Sequence, residues 1–287
     1  MERGQRFRNA AIGLTLVWIT VFVAIPYLLV VLFSFLTPNP AGTVTWEFSL
    51  ESYRSIFSPV FLKVCQSSFA LALGTTALTL LTAYPFAFIL TRIPEYIRRT
   101  LILLMIIPFW TSSLIRTYAL IIILKANGLV NGFLMGMGWI TEPVSILYTQ
   151  VAVFIGLVYT LLPFMILPLY ASLQKLDRRL IEAARDLGAR GWHIFFHIVL
   201  PLSLPGIIAG STMVFLPALG LFYIPDLLGG ARSMLIGNFI KDQFLATSNW
   251  PLGSAASVLL TILMFLMLGW YFVVSRRANQ GDMKELA

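Results

Sequence analysis

Six long apolar runs, separated by shorter polar stretches, set the pattern of this chain. They fall at about 10–35, 67–90, 101–123, 148–170, 204–224 and 255–274, and each holds between 20 and 26 residues. A helix rises about 1.5 Å per residue, so each run reaches across a hydrocarbon layer of about 30 Å. The pattern predicts an all-α polytopic membrane protein, a single domain over 1–287 with six transmembrane helices. Pro108 within the third run, and Pro205 and Pro217 within the fifth, read as breaks. Proline removes a rung of the helical hydrogen-bond ladder, and hydroxyls such as those of Thr111, Ser112 and Ser113 can repair it.

The largest polar interval, 171–203, has a helical pattern of its own. Asp177 suits an N-cap, and Leu180, Ala183, Ala184 and Leu187 then recur at i, i+3, i+4 and i+7 to make one apolar face. Gly188 suits the helix end, where a positive φ is needed. Trp192, Phe195, Phe196 and Val199 repeat the pattern in a second short helix, which Pro201 ends or returns to the membrane. A helix–glycine–helix elbow with small alanines can dock closely into a groove on a partner. Elsewhere Thr37–Pro40 reads as a turn, Phe48–Phe57 as a short surface helix and Leu129–Met137 as an interfacial helix.

Composition and charge fit this topology. The chain is 59% hydrophobic and 11% charged, where soluble domains are about a quarter charged. With the N-terminus placed in the cytoplasm, 14 of the 20 basic residues lie in inside segments; the other six are Arg54, Lys63, Arg116, Lys125, Arg232 and Lys241. That asymmetry fits the positive-inside rule with both termini cytoplasmic. The net charge of +8 therefore reflects topology, not a nucleic-acid partner, which needs one accessible basic face. The first run has a basic start at Arg3, Arg6 and Arg8. It is too long for a signal peptide and no small-x-small site closes it, so it reads as a retained helix.

The chain has no phosphate-binding GxxxxGK[ST] loop, no HExxH and no G-x-S-x-G elbow. His193 and His197 are its only histidines and Cys65 its only cysteine. The expectation is no catalytic residue, no metal and no cofactor bound by this chain. Energy for transport must then come from ions or a partner ATPase. Candidates for a translocation path are aromatic or acidic groups in or near the runs: Trp110, Tyr118, Tyr159, Tyr223 and Asp226. Asp226 lies in a broken segment, 217–230. A carboxylate beside aromatic faces suits a cationic amine, and a helix-capping role is the alternative. Arg116, ionisable within a run, either lines the path or pairs inside the bundle.

At Glu182-Ala183-Ala184, Gly188, Ile198, Leu200 and Pro201 the spacing is EAA, three residues, G, nine residues, then I-x-L-P. In this the chain resembles the membrane subunits of binding-protein-dependent ABC importers. Three longer blocks, at 107–119, 156–189 and 216–240, are similar to the polyamine permeases of that family. The resemblance implies the type I ABC importer permease fold in the bacterial cytoplasmic (inner) membrane. It implies that 171–203 is a cytoplasmic coupling loop, with Glu182, Ala183, Ala184 and Gly188 on the ATPase and Arg185 and Asp186 adding polar contacts. The implied partners are a homodimeric ABC ATPase that holds ATP and Mg, a second homologous permease subunit and an extracytoplasmic polyamine-binding protein. The implied cargo is spermidine or putrescine. Permeases for iron, sulfate or molybdate share the loop, so the loop alone does not name the cargo. An ion-coupled secondary carrier would favour internal repeats and has no need of such a loop.

Overall fold

A computed structural model describes residues 2–39, 44–230 and 234–284. Pro40, the last residue of the predicted turn, and Arg232 lie outside the described residues. Among the described residues six apolar helical stretches are long enough to cross a membrane: Ala11–Phe33, Pro59–Leu90, Ser113–Gly136, Gln150–Gln174, Gly191–Gly220 and Trp250–Gly269. The chain forms two compact units, Met1–Val64 with Phe239–Leu263, and Cys65–Asn238 with Met264–Ala287.

The first unit starts with α1 (Glu2–Ile19), a five-residue π turn at Thr20–Ala24, and α2 (Ile25–Phe33). The π turn has a local cause. The Pro26 ring would meet the carbonyl four residues back, at Phe22, and widening the ladder there relieves the clash. A small hairpin follows, β1 (Leu36–Pro38) antiparallel to β2 (Val44–Phe48), with a register shift between Leu36 and Thr37. Next comes α3 (Glu51–Ile56). The surface helix expected over Phe48–Phe57 is thus a strand end and a shorter helix. Phe48 is held in the strand by pairing with Leu36 and by stacking on Phe35, with ring centroids 5.7 Å apart. The Ser34 hydroxyl lies 2.8 Å from the Tyr53 hydroxyl and ties α2 to α3.

The chain passes into the second unit within α4 (Pro59–Leu90). There α5 (Glu95–Ile106) ends in a 3-10 turn at Ile107–Trp110, and α6 (Ser113–Leu124) and α7 (Leu129–Gly136) follow. The run expected at 101–123 is therefore two helices. Pro108 sits at the start of the 3-10 turn, Thr111 is extended, and the Thr111 hydroxyl donates to the Pro108 carbonyl at 2.7 Å. The hydroxyl bond closes the 3-10 turn on the Pro108 carbonyl, which also accepts the Thr111 N–H at 3.2 Å; it does not fall on the Leu104 carbonyl that the proline deprives of its rung.

Helix α8 (Gln150–Gln174) is the centre of this unit. One face, including Val153, Gly156, Leu157, Thr160, Leu161, Met165, Ile166 and Leu169, is buried. After α9 (Arg178–Asp186), a single helical stretch runs through α10 (Gly191–Ile194), a π turn at Phe195–Val199 and α11 (Leu200–Gly220). Pro201 stands to His197 as Pro26 stands to Phe22, and the same widening lets the helix continue through it. Pro205 and Pro217 also lie inside α11, so the fifth stretch is continuous where the sequence suggested interruption.

Helix α11 packs along α8 at two of its glycines, Gly206 and Gly210. A Cβ on Gly206 would fall 2.5 Å from Ser172 Cβ and 2.8 Å from the Pro168 carbonyl oxygen; one on Gly210 would fall 2.7 Å from Met165 Sδ. Their four-residue spacing lets two backbones approach. Between α4 and α11, the Tyr84 hydroxyl lies 2.9 Å from the Ser203 hydroxyl, both buried. The remaining helices are α12 (Tyr223–Gly229), α13 (Ile236–Leu245) and α14 (Trp250–Lys284). The break between α11 and α12 is short, with Leu221 extended. Helix α12 sits on α8 at Gly156, where a Cβ would meet Leu228 Cδ1 at 2.3 Å.

Candidate coupling surface and translocation path

Helix α9 is built by its two ends. The Asp177 carboxylate accepts from the Arg179 N–H at 2.9 Å, the expected N-cap. At the other end Gly188 has φ +81°. The Gly188 N–H donates to the Arg185 carbonyl at 2.8 Å and the Ala189 N–H to the Ala184 carbonyl at 2.9 Å. This pair of bonds is a Schellman motif, which satisfies the last carbonyls of the helix and turns the chain sharply toward α10.

Between these ends Glu182, Ala183, Arg185, Asp186 and Gly188 are exposed and Ala184 is half-buried. The apolar residues of α9 do not turn inward as a whole. Leu187 is 88% exposed, and Leu180 on α9 and Trp192 on α10 are also open. Exposed large apolar side chains next to charged ones, on an element capped at both ends, make a surface suited to a protein partner.

The loop after α4 also reaches this surface, which charge reading along the sequence missed. Arg92 lines a groove with Ile181, Glu182 and Arg185. Its guanidinium lies 4.0 Å from the Phe88 ring centroid. A cavity of about 150 Å³ behind α9 is lined by Arg92, Arg98, Gln174, Leu176 and Ile181 among others. In the sequence Arg92 reads only as a topology anchor; its closeness to Glu182 depends on how α4 and α8 pack. His193 and His197 stack at 5.3 Å, and among the described residues no group of three or more metal-ligating side chains forms.

The path candidates fall into two groups. Around the break at Pro108, Trp110 is 83% and Tyr118 56% exposed. The Arg116 guanidinium lies 4.6 Å from the Phe109 ring centroid and 5.9 Å from that of Tyr159. Arg116 Nε and Nη1 are buried and make no hydrogen bond among the described residues. Tyr159 is therefore brought to Arg116. The second group is on α12, which packs on both α6 and α8. Tyr223 lies against the apolar cluster of Leu124, Leu157, Ile224 and Leu228, with the Phe222 ring at 6.2 Å. Asp226, half-buried in the first turn of α12, accepts a hydrogen bond from the Asn238 side-chain amide. Asn238 is a residue the sequence did not single out.

Residues 80–280 match the family described as binding-protein-dependent transport system inner membrane component. The chain belongs to that family. It is a multi-pass permease subunit of an ABC importer in the bacterial inner membrane, and the ion-coupled carrier reading falls away. The family functions with an ATPase and a periplasmic binding protein. The chain is 48% identical over 280 residues to the "Spermidine/putrescine transport system permease protein PotB" of Salmonella typhimurium (strain LT2), covering 98% of each chain. It is 49% identical over 263 residues to the protein of that name from Escherichia coli (strain K12), covering 92% of this chain and 96% of the other. In fold it is similar to a chain of a bacterial alginate ABC transporter, with TM-score 0.76 at 16% identity over 96% of both chains. This permease's all-α architecture is thus shared with a solved importer whose sequence has diverged far from it.

Proposed function

We propose that the chain forms half of the translocation path of an ATP-driven polyamine importer, with spermidine or putrescine as cargo and both termini in the cytoplasm. The observation that carries this reading is the near-complete match, at 48% identity, with a permease named for spermidine/putrescine transport. A second homologous permease subunit forms the other half of the path, and an extracytoplasmic polyamine-binding protein delivers the cargo.

The chemistry of the two surfaces supports the reading. Exposed Glu182, Ala183 and Gly188, with half-buried Ala184, contact a homodimeric ABC ATPase, and Arg185 and Asp186 add polar contacts. That ATPase holds the ATP and Mg. Along the path, Trp110, Tyr118, Tyr159 and Tyr223 offer ring faces to alkylammonium groups, and Asp226 offers the counter-charge.

The test is ATPase activity of the co-expressed complex in vesicles, with binding protein loaded with spermidine, putrescine, sulfate or iron. Stimulation by the polyamine-loaded protein, lost in Glu182→Lys, is the expected result. Stimulation by sulfate or iron alone would replace the cargo while keeping the permease.

A further inference from the structure

Asn238 stands in the first turn of α13 and is 3% exposed. Its place is fixed by a close backbone approach. A Cβ on neighbouring Gly237 would fall 2.6 Å from the Gly220 carbonyl oxygen, so the start of α13 lies directly against the end of α11. From there the Asn238 Nδ2 donates to the Phe222 carbonyl at 3.1 Å and to the Asp226 carboxylate. Both partners can only accept, so the amide orientation follows from the chemistry: nitrogen toward Phe222 and Asp226, oxygen away. That oxygen, Oδ1, is buried and has no hydrogen-bond partner among the described residues. A buried acceptor left unmade is costly, and such a group calls for a donor.

We propose that Asn238 is the positioning residue of the cation site. One amide hydrogen fixes the Asp226 carboxylate and the other holds the α11–α12 link through the Phe222 carbonyl. The unmade Oδ1 is the acceptor for a donor that arrives with the cargo, a primary ammonium group of an aliphatic polyamine. An ammonium carries three N–H donors and needs more than one oxygen when it leaves water. A carboxylate and an amide oxygen on one clamp supply two, beside the Phe222 and Tyr223 rings.

This inference rests on the polyamine reading, and the experiment separates the two. Spermidine uptake by the full complex in vesicles is measured for wild type, Asn238→Leu, Asp226→Asn and the double variant, normalised to the amount of complex in the membrane. Asn238→Leu keeps the volume and removes both donor and acceptor. The expected result is a KM at least 10-fold higher with Vmax within about twofold, and no more than a twofold further rise when Asn238→Leu is added to Asp226→Asn. A purely structural asparagine would lower Vmax and assembly and leave KM unchanged. Equal KM in Asn238→Leu and wild type, or independent effects that multiply in the double variant, overturns the role of Asn238. An unchanged KM in Asp226→Asn itself overturns the cation site and removes that residue from the polyamine reading. Should Asn238→Leu fail to assemble, the same cycle with Asn238→Ser decides on the same KM criterion.

Discussion

Gly188 offers a clean separation of backbone strain from partner contact. Its φ is +81°, and a Cβ built on it meets no atom of the described residues within 4 Å. A substitution there has no internal clash to relieve, so its cost inside the chain comes from the backbone alone. For an L-residue the left-handed region costs about 1–2 kcal/mol, less for asparagine, whose short polar side chain tolerates it. That energy shifts the population of the Schellman end by roughly 5–30-fold. When the end unwinds, the bonds from the Gly188 and Ala189 N–H groups are lost, and α10 leaves α9 in a different direction. The assay is ATP-driven uptake and ATPase stimulation in vesicles for Gly188→Asn, Gly188→Ala and Gly188→Val. The expected order of activity is Asn, then Ala, then Val, with the loss in Ala bounded by the shifted equilibrium at roughly 30-fold. If Asn is as damaging as Val, the backbone account is refuted and the loss belongs to the surface that docks on Gly188.

Three further outcomes follow from the packing. Gly206→Ala should lower the detergent melting temperature more than Gly210→Ala. The first Cβ would fall 2.8 Å from a backbone oxygen and 2.5 Å from Ser172 Cβ, whereas in the second the shortest contact is the Met165 side-chain sulfur and the backbone oxygen stands farther off, at 3.1 Å; overpacking costs about 1–3 kcal/mol, and the reverse order would contradict the geometry. Asp177→Ala removes the N-cap bond to Arg179 and should destabilise α9 by about 1 kcal/mol; hydrogen exchange across 178–186 would register faster exchange, and unchanged rates would show that the cap is idle. Arg116→Leu removes a guanidinium with two buried and unbonded nitrogens; the melting temperature of the purified chain should hold or rise, and a marked fall would mean that the ring contacts with Phe109 and Tyr159 outweigh the burial cost.

Residues set by their immediate neighbours were legible in the sequence. Asp177 as N-cap, Gly188 as the positive-φ end and Leu129–Gly136 as a short helix are local events. Pro108 was legible as a break for the same reason. The effect of Pro205 and Pro217 was not, because a lost rung ends a helix only when surrounding packing fails to hold the two halves in line. The hairpin at Leu36–Phe48 was missed because a strand is defined by its partner, and the bulge hides its alternation.

The sequence by itself determined that the chain crosses a membrane, since about 20 apolar residues in a row have no other economical placement. It also determined the short helix α9, because both ends are capped by residues adjacent to it. Only the tertiary structure decided which surfaces those elements share. It set Gly206 and Gly210 on α8, brought Arg92 to Glu182 and Arg185, placed Arg116 over Phe109, and put the Asn238 amide on Asp226. Each of these contacts joins residues on different helices or across a helix break. Such pairings follow from how side chains interlock in three dimensions, and the order of residues along one helix carries no record of the face it meets.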